Sequence, residues 1–216
     1  MIDSITLNEL EKRGVVAVLE INNVEDAVPS ARALVKGGVT AIELALRTPA
    51  AIPAIERIHK EVPEMMIGIG TVIKRGQAKQ VKELGASFAV SPGFNPNIVK
   101  EADECHLPFA PGITTASELE GAVEMGCNLL KFFPAVPMGG VNYLKSMIGP
   151  YSYLGLKFFP LGGVTVENMV DFAKIKNVLC IGGTWISKKD LIETHNWDEI
   201  TKRAAEAVKI WKEARI

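Results

Sequence analysis

Short apolar runs alternate along this chain with stretches whose apolar residues recur at helical spacing. The runs are VVAVL (15–19), AIELAL (41–46), MIGIG (66–70), FAVS (88–91), LPFAP (107–111), LLKFF (129–133), LKFFPL (156–161) and VLCIG (178–182). Their length and the turn residues around them predict strands. Between them lie VEDAVPSARALVKGG, TPAAIPAIERIHKE, RGQAKQVKELG, NPNIVKEADE, TASELEGAVEMG, GGVNYLKSM and TVENMVDFAKI. Several of these end in glycine, which helix C-termini favour because glycine adopts the left-handed conformation without penalty. A polar, amphipathic helix-like stretch, MIDSITLNELEKRG, precedes the first run, and a last helical pattern covers roughly 198–214. Eight strand–helix units predict an α/β fold of the (β/α)8 TIM-barrel type with an N-terminal helix, in one domain over 1–216. An open doubly wound sheet is the alternative. It usually carries a glycine-rich turn after the first strand, and VVAVLEINNVEDA has none.

The barrel directs attention to the C-terminal ends of its strands, where active sites of this fold sit. Side chains alternate faces along a strand. In AIELALRT, Ile42, Leu44 and Leu46 share one side and must meet the helices. Glu43, Ala45 and Arg47 then point to the barrel or its mouth. In NLLKFF, Leu129, Lys131 and Phe133 point inward and Leu130 and Phe132 outward. Thr71 ends its strand. A lysine, a glutamate, an arginine and a threonine are thus expected around one cavity.

That set has a chemistry. Lysine is almost never fully buried unless something pairs with it or uses it. Loss of hydration disfavours a lysine's charged form, and a neutral amine attacks carbonyl carbons to form a Schiff base. A carboxylate at Glu43 moves protons as that adduct forms and breaks. The planar fork of Arg47 suits a substrate carboxylate, and the Thr71 hydroxyl adds a donor. The structural alternative is a buried Glu43–Arg47 ion pair with no catalytic role. A second KFFP, at 157–160, offers Lys157 as a rival nucleophile, but Lys157 starts its predicted strand while Lys131 lies nearer the middle of its own.

Two glycine pairs close the last two strands, in FPLGGVT and CIGGTW. Loops after strands seven and eight of such barrels often bind phosphate, because glycine lets backbone N–H groups approach an anion closely. Gly162, Gly163, Gly182, Gly183 and Thr184 are the candidates, with simple tight turns as the alternative.

Composition narrows the partners. Hydrophobic residues make up 48% of 216 positions, and 24 basic against 25 acidic residues give a net charge of -1. Neither nucleic acid nor a membrane surface is the expected partner. No apolar run approaches the ~18 residues of a membrane span. The N-terminal stretch does not read as a signal peptide. The three cysteines, Cys105, Cys127 and Cys180, are widely spaced and suit reduced thiols in a cytoplasmic protein. No Cys/His spacing suggests a metal site.

The motifs GGVTAIELALRT, IGIGTV, FAVSPGF, PGITTASEL, LLKFFPA, GGV and IGGTW, in this order and over nearly the whole chain, resemble the class I 2-keto-3-deoxy-6-phosphogluconate (KDPG) aldolases, which also act as 4-hydroxy-2-oxoglutarate (KHG) aldolases. The resemblance implies a homotrimer of (β/α)8 barrels that uses no metal or other cofactor. It implies cleavage of the sugar acid to pyruvate and glyceraldehyde 3-phosphate, or of KHG to pyruvate and glyoxylate. By the same resemblance Lys131 is the Schiff-base lysine, which decides between the two KFFP lysines. Glu43 is the acid/base acting through a water. Arg47 and Thr71 hold the pyruvate carboxylate, Pro92 and Phe133 wall the pyruvyl group, and Gly162, Gly163 and Thr184 take the phosphate, with Gly183 beside them as a substrate-binding candidate.

Three positions depart from the family pattern. Val136 stands where an acid is usual after the lysine motif. Leu161 replaces a threonine before the phosphate glycines, so no hydroxyl is offered there. Glu20 follows the first strand where many relatives carry arginine, and it either repels a phosphate or turns away. The departures bear on the acceptor aldehyde and on C4 stereochemistry, including a galactonate-derived C4 epimer as alternative substrate. Outside this reading stand an imine-free sugar-phosphate isomerase or epimerase and a non-catalytic anion-binding trimer.

Overall fold

The computed structural model describes residues 2–215. Its strands are β1 (Val15–Leu19), β2 (Ala41–Ala45), β3 (Met66–Gly70), β4 (Phe88–Val90), β5 (Phe109–Ala110), β6 (Gly112–Ile113), β7 (Leu129–Phe132), β8 (Lys157–Pro160) and β9 (Ile181–Gly183). All paired strands run parallel. They form a six-stranded sheet in the order β5-β4-β3-β2-β1-β9 and a three-stranded sheet in the order β6-β7-β8.

Both sheets curl, and they approach each other at two places, Pro111 and Phe158. The fifth apolar run, expected as one strand over 107–111, lies further on and is divided at Pro111. A proline has no N–H for the ladder. Phe109 and Ala110 therefore pair with β4, while Gly112 and Ile113 pair with β7. The Pro111 carbonyl still accepts from the Lys131 backbone N–H at 2.9 Å. At the other edge Phe158 bridges to Val178, and the Leu179 N–H donates to the Phe158 carbonyl at 2.9 Å. The eighth run, expected as 178–182, forms regular ladder only over Ile181–Gly183.

The period-two alternation appears as two apolar layers. Ile42, Leu44, Ile67, Ile69, Leu130 and Phe132 pack outward with helix residues such as Leu34, Ile55 and Ile58. Val16, Val18, Ala41, Met66, Phe88, Leu129 and Phe159 form a separate inner cluster. The helix Ser4–Arg13 serves the inner layer, since Ile2 and Leu10 belong to it. The Asn128 side chain fastens this segment, accepting from the Ile2 N–H at 3.1 Å and donating to its carbonyl at 2.8 Å. One end of the interior is thereby filled with apolar side chains. The last helix, Trp197–Ala214, packs its Ile200, Ala204, Ala207 and Trp211 on the outer layer.

Cys127 and Cys180 are buried, which pushes the Cys127 thiol up to about 11 and the Cys180 thiol higher still. Among the described residues no helix is long and apolar enough to cross a membrane.

Candidate active site

Glu43 sits at the centre of β2, with β1 on one side and β3 on the other. Lys131 sits in β7, between β6 and β8. Both positions belong to the inward face, and their side chains meet across the interior. The Lys131 Nζ donates to Glu43 Oε1 at 3.1 Å and to Oε2 at 3.3 Å. Their side chains are only 5% and 4% exposed. The Phe133 ring lies on the amine's other side, its centroid 5.1 Å from Nζ. A buried pair of this kind stands on desolvated charges and is costly unless each charge is matched. It therefore leaves an amine and a carboxylate in direct proton contact, away from water.

Space for the carboxylate comes from β3. Its inward positions after Met66 are Gly68 and Gly70. A Cβ on Gly70 would lie 2.0 Å from Glu43 Oε1, so any side chain there would displace the acid. A Cβ on Gly68 would overlap the Phe88 ring at 2.1 Å. The MIGIG run thus contributes absence of side chains where Glu43 needs room.

Above the pair opens a cavity of about 530 Å³. The structure brings Lys131, Glu43, Arg47, Thr71, Pro92, Phe133, Leu161, Gly162, Gly163, Gly182, Gly183 and Thr184 to its wall. Every site residue expected from the sequence lines it. Thr71 follows β3 with φ at +64°, a conformation a β-branched residue adopts only at a cost of about 1–3 kcal/mol. Gly162 and Gly163 also have positive φ, +89° and +80°. Pro92 enters the wall because Gly112 opposite it is bare: a Cβ there would lie 2.3 Å from the Pro92 carbonyl. Lys157 is elsewhere. It pairs with Leu129, two residues before the level of Lys131, and borders a different cavity with Glu11 and Lys176.

Two expectations change. The structural alternative of a Glu43–Arg47 pair does not form: Glu43 is held by Lys131, and Arg47 Nε lies 3.4 Å from Glu20 Oε2. Glu20 lines a smaller neighbouring cavity together with Thr184 and Lys188. It engages Arg47, and its other oxygen is 4.0 Å from Lys189. Val136 lies outside this cavity; its N–H donates to the Gly162 carbonyl at 2.9 Å, so position 136 braces the first glycine turn through its backbone.

The structure also adds residues that were not singled out: Val18, Val164, Thr165, Trp185 and Lys188. For Lys188 a signal was present. Lys188 ends the loop after the last strand, where an anion is expected, and Lys189 begins the next helix.

A family model described as "KDPG and KHG aldolase" matches residues 6–203. The chain belongs to the KDPG and KHG aldolase family. Among its relatives, the KHG/KDPG aldolase of Escherichia coli K12 is 46% identical over 194 residues, 90% of each chain. The crystal structure of a KDPG aldolase from Legionella pneumophila, with pyruvate captured at low pH as a covalent carbinolamine intermediate, superposes with a TM-score of 0.87. It is 38% identical, covering 93% of this chain and 96% of that one. The KDPG aldolase of Zymomonas mobilis with 3-phosphoglycerate gives 0.83 at 35% identity, over 93% and 94% of the two chains. Family membership makes this chain a carbon–carbon lyase of the aldolase kind.

Proposed function

We propose that this protein is a class I pyruvate aldolase, cleaving KDPG to pyruvate and glyceraldehyde 3-phosphate, KHG to pyruvate and glyoxylate, or both. The observation that carries this reading is the buried Lys131 Nζ, 3.1 Å from Glu43 Oε1 on the floor of the cavity. An isomerase that works without an imine needs acid/base groups but no nucleophilic amine.

The chemistry follows from these positions. Glu43 takes a proton from Lys131, and the free amine attacks the C2 carbonyl of the substrate. Protonation of the carbinolamine oxygen, with Glu43 as donor directly or through a water, lets water leave and forms the iminium. The C3–C4 bond then breaks. Its electrons pass into the iminium to give an enamine, and Glu43, again a carboxylate, takes the C4 hydroxyl proton directly or through a water as the aldehyde departs. Protonation of the enamine and addition of water release pyruvate and return Lys131. Arg47 and Thr71 hold the carboxylate and so aim C2 at Nζ, with Pro92 and Phe133 flanking the pyruvyl group. Gly162, Gly163, Gly183 and Thr184 face the far end of the substrate, and Leu161 gives that end an apolar wall.

The engagement of Arg47 by Glu20 means that a substrate carboxylate must compete with a carboxylate of the chain. Glu20→Gln is expected to lower the KM for pyruvate in the condensation direction by about two- to five-fold, the scale of a half-exposed ion pair. An unchanged or higher KM would show that Glu20 does not restrain Arg47.

The two curled sheets, joined at Pro111 and at Phe158, support a closed (β/α)8 barrel over a single domain. A homotrimer in the cytoplasm completes the proposal, and light scattering that returned the mass of one chain would remove the trimer. The test of the activity itself is to trap the imine. Pyruvate with sodium borohydride is expected to leave a reduced pyruvyl adduct on Lys131, located by peptide mass spectrometry. An adduct on Lys157, or none, would overturn the assignment.

A further inference from the structure

Four charged side chains line the cavity: Glu43, Arg47, Lys131 and Lys188. Lys131 and Glu43 neutralise each other. Arg47 is engaged by Glu20. The remaining charge is Lys188, whose ammonium has no ion-pair or hydrogen-bond partner among the described residues. The adjacent Lys189 differs. It is shared between Glu20 and Glu193, 4.0 and 3.9 Å away, and lies outside this cavity. Lys188 follows the Gly182–Gly183–Thr184 turn and also borders the smaller neighbouring cavity of about 310 Å³.

The geometry points to Lys188 as the charged ligand of a phosphate monoester at the far end of the substrate, and hence as the residue that sets preference for phosphorylated over unphosphorylated acceptor aldehydes. This deepens the aldolase reading and rests on it. A KDPG-type substrate carries two anions, a carboxylate and a phosphate. The cavity wall has two cations beyond the Lys131–Glu43 pair. Arg47 stands with Thr71 as the candidate pair for the carboxylate, which leaves Lys188 for the phosphate. The glycine turns bring backbone N–H groups and Thr184 brings a hydroxyl, but both are neutral donors. Hydrogen bonds to a charged group are the stronger kind, and a lysine serves phosphate as a point charge.

The experiment compares condensation of pyruvate with glyceraldehyde 3-phosphate and with glyceraldehyde, in the whole protein. The ratio of the two kcat/KM values is the readout. Lys188→Met is expected to lower that ratio by about ten-fold, the scale of one charged hydrogen bond. The loss should fall on KM for the phosphorylated aldehyde, and Lys188→Arg should keep most of the preference. Lys189→Met removes the same net charge one residue away and is expected to move the ratio by less than about two-fold, as an exposed, already paired charge does. An unchanged ratio in Lys188→Met, or an equal fall in Lys189→Met, overturns the inference. Borohydride trapping of pyruvate separates the two failures: an adduct on Lys131 with no change in ratio sinks Lys188 alone, whereas no adduct in the unaltered protein sinks the aldolase reading.

Discussion

Lys131→Met is expected to abolish the trapped pyruvate adduct and to lower aldol cleavage on the order of 10⁴-fold or more, because the covalent route carries much of an enzymatic acceleration of ~10⁶ or above. The change has a second effect. Glu43 would remain 4% exposed with its cation gone, and an uncompensated buried charge costs about 3–5 kcal/mol until the group takes up a proton. Lys131→Met should therefore unfold at lower temperature than the unaltered protein. The double variant Lys131→Met/Glu43→Gln should recover part of that loss, since no charge is left unmatched, while remaining inactive. Recovery of stability without activity separates the chemical role of the lysine from its structural one. Full cleavage by the single variant would refute the imine mechanism.

Glu43→Gln is expected to lower turnover by about 10²–10⁴-fold, the usual worth of a positioned acid/base. Glutamine keeps the shape that the bare Gly70 accommodates and can still accept a hydrogen bond from Lys131, but it cannot carry the proton. Exchange of the pyruvate methyl hydrogens with deuterated water, followed by NMR, isolates proton transfer at the enamine from cleavage of the C–C bond. Both rates should fall together. Turnover within ten-fold of the unaltered protein would assign proton transfer to water or to another group. Thr71 then becomes the first residue to test, since it lines the same wall.

Much of the candidate site is legible in the sequence, for a local reason. Strand alternation is a property of the backbone, so a polar residue on the otherwise apolar inward phase of AIELAL or LLKFF is visible without coordinates. Glu43 and Lys131 were read that way, and they lie inward. The glycine turns were read from composition at the ends of strands, and they line the cavity. The strand boundaries around Pro111 and Val178 were less legible. Periodicity sees apolar character, while ladder membership depends on which neighbour offers a hydrogen bond. Lys188 was missed because an exposed lysine resembles any other, and its place after the last glycine turn was the one signal that set it apart.

The sequence by itself determined the order of strands and helices, the inward phase of Glu43 and Lys131, the two glycine turns and the family. These follow from short-range periodicity and from motifs in fixed order. Only the tertiary structure decided who pairs with whom. Glu43 and Lys131 are 88 positions apart, and nothing local distinguishes Lys131 from Arg47 as the partner of Glu43. The choice is made by register and packing. Lys131 lies opposite Glu43 across the interior, Gly70 leaves room for the carboxylate, and Arg47, beyond the end of β2, is within reach of Glu20. Ion pairs depend on distances of a few ångströms, and those distances exist only once β2 and β7 have been brought together.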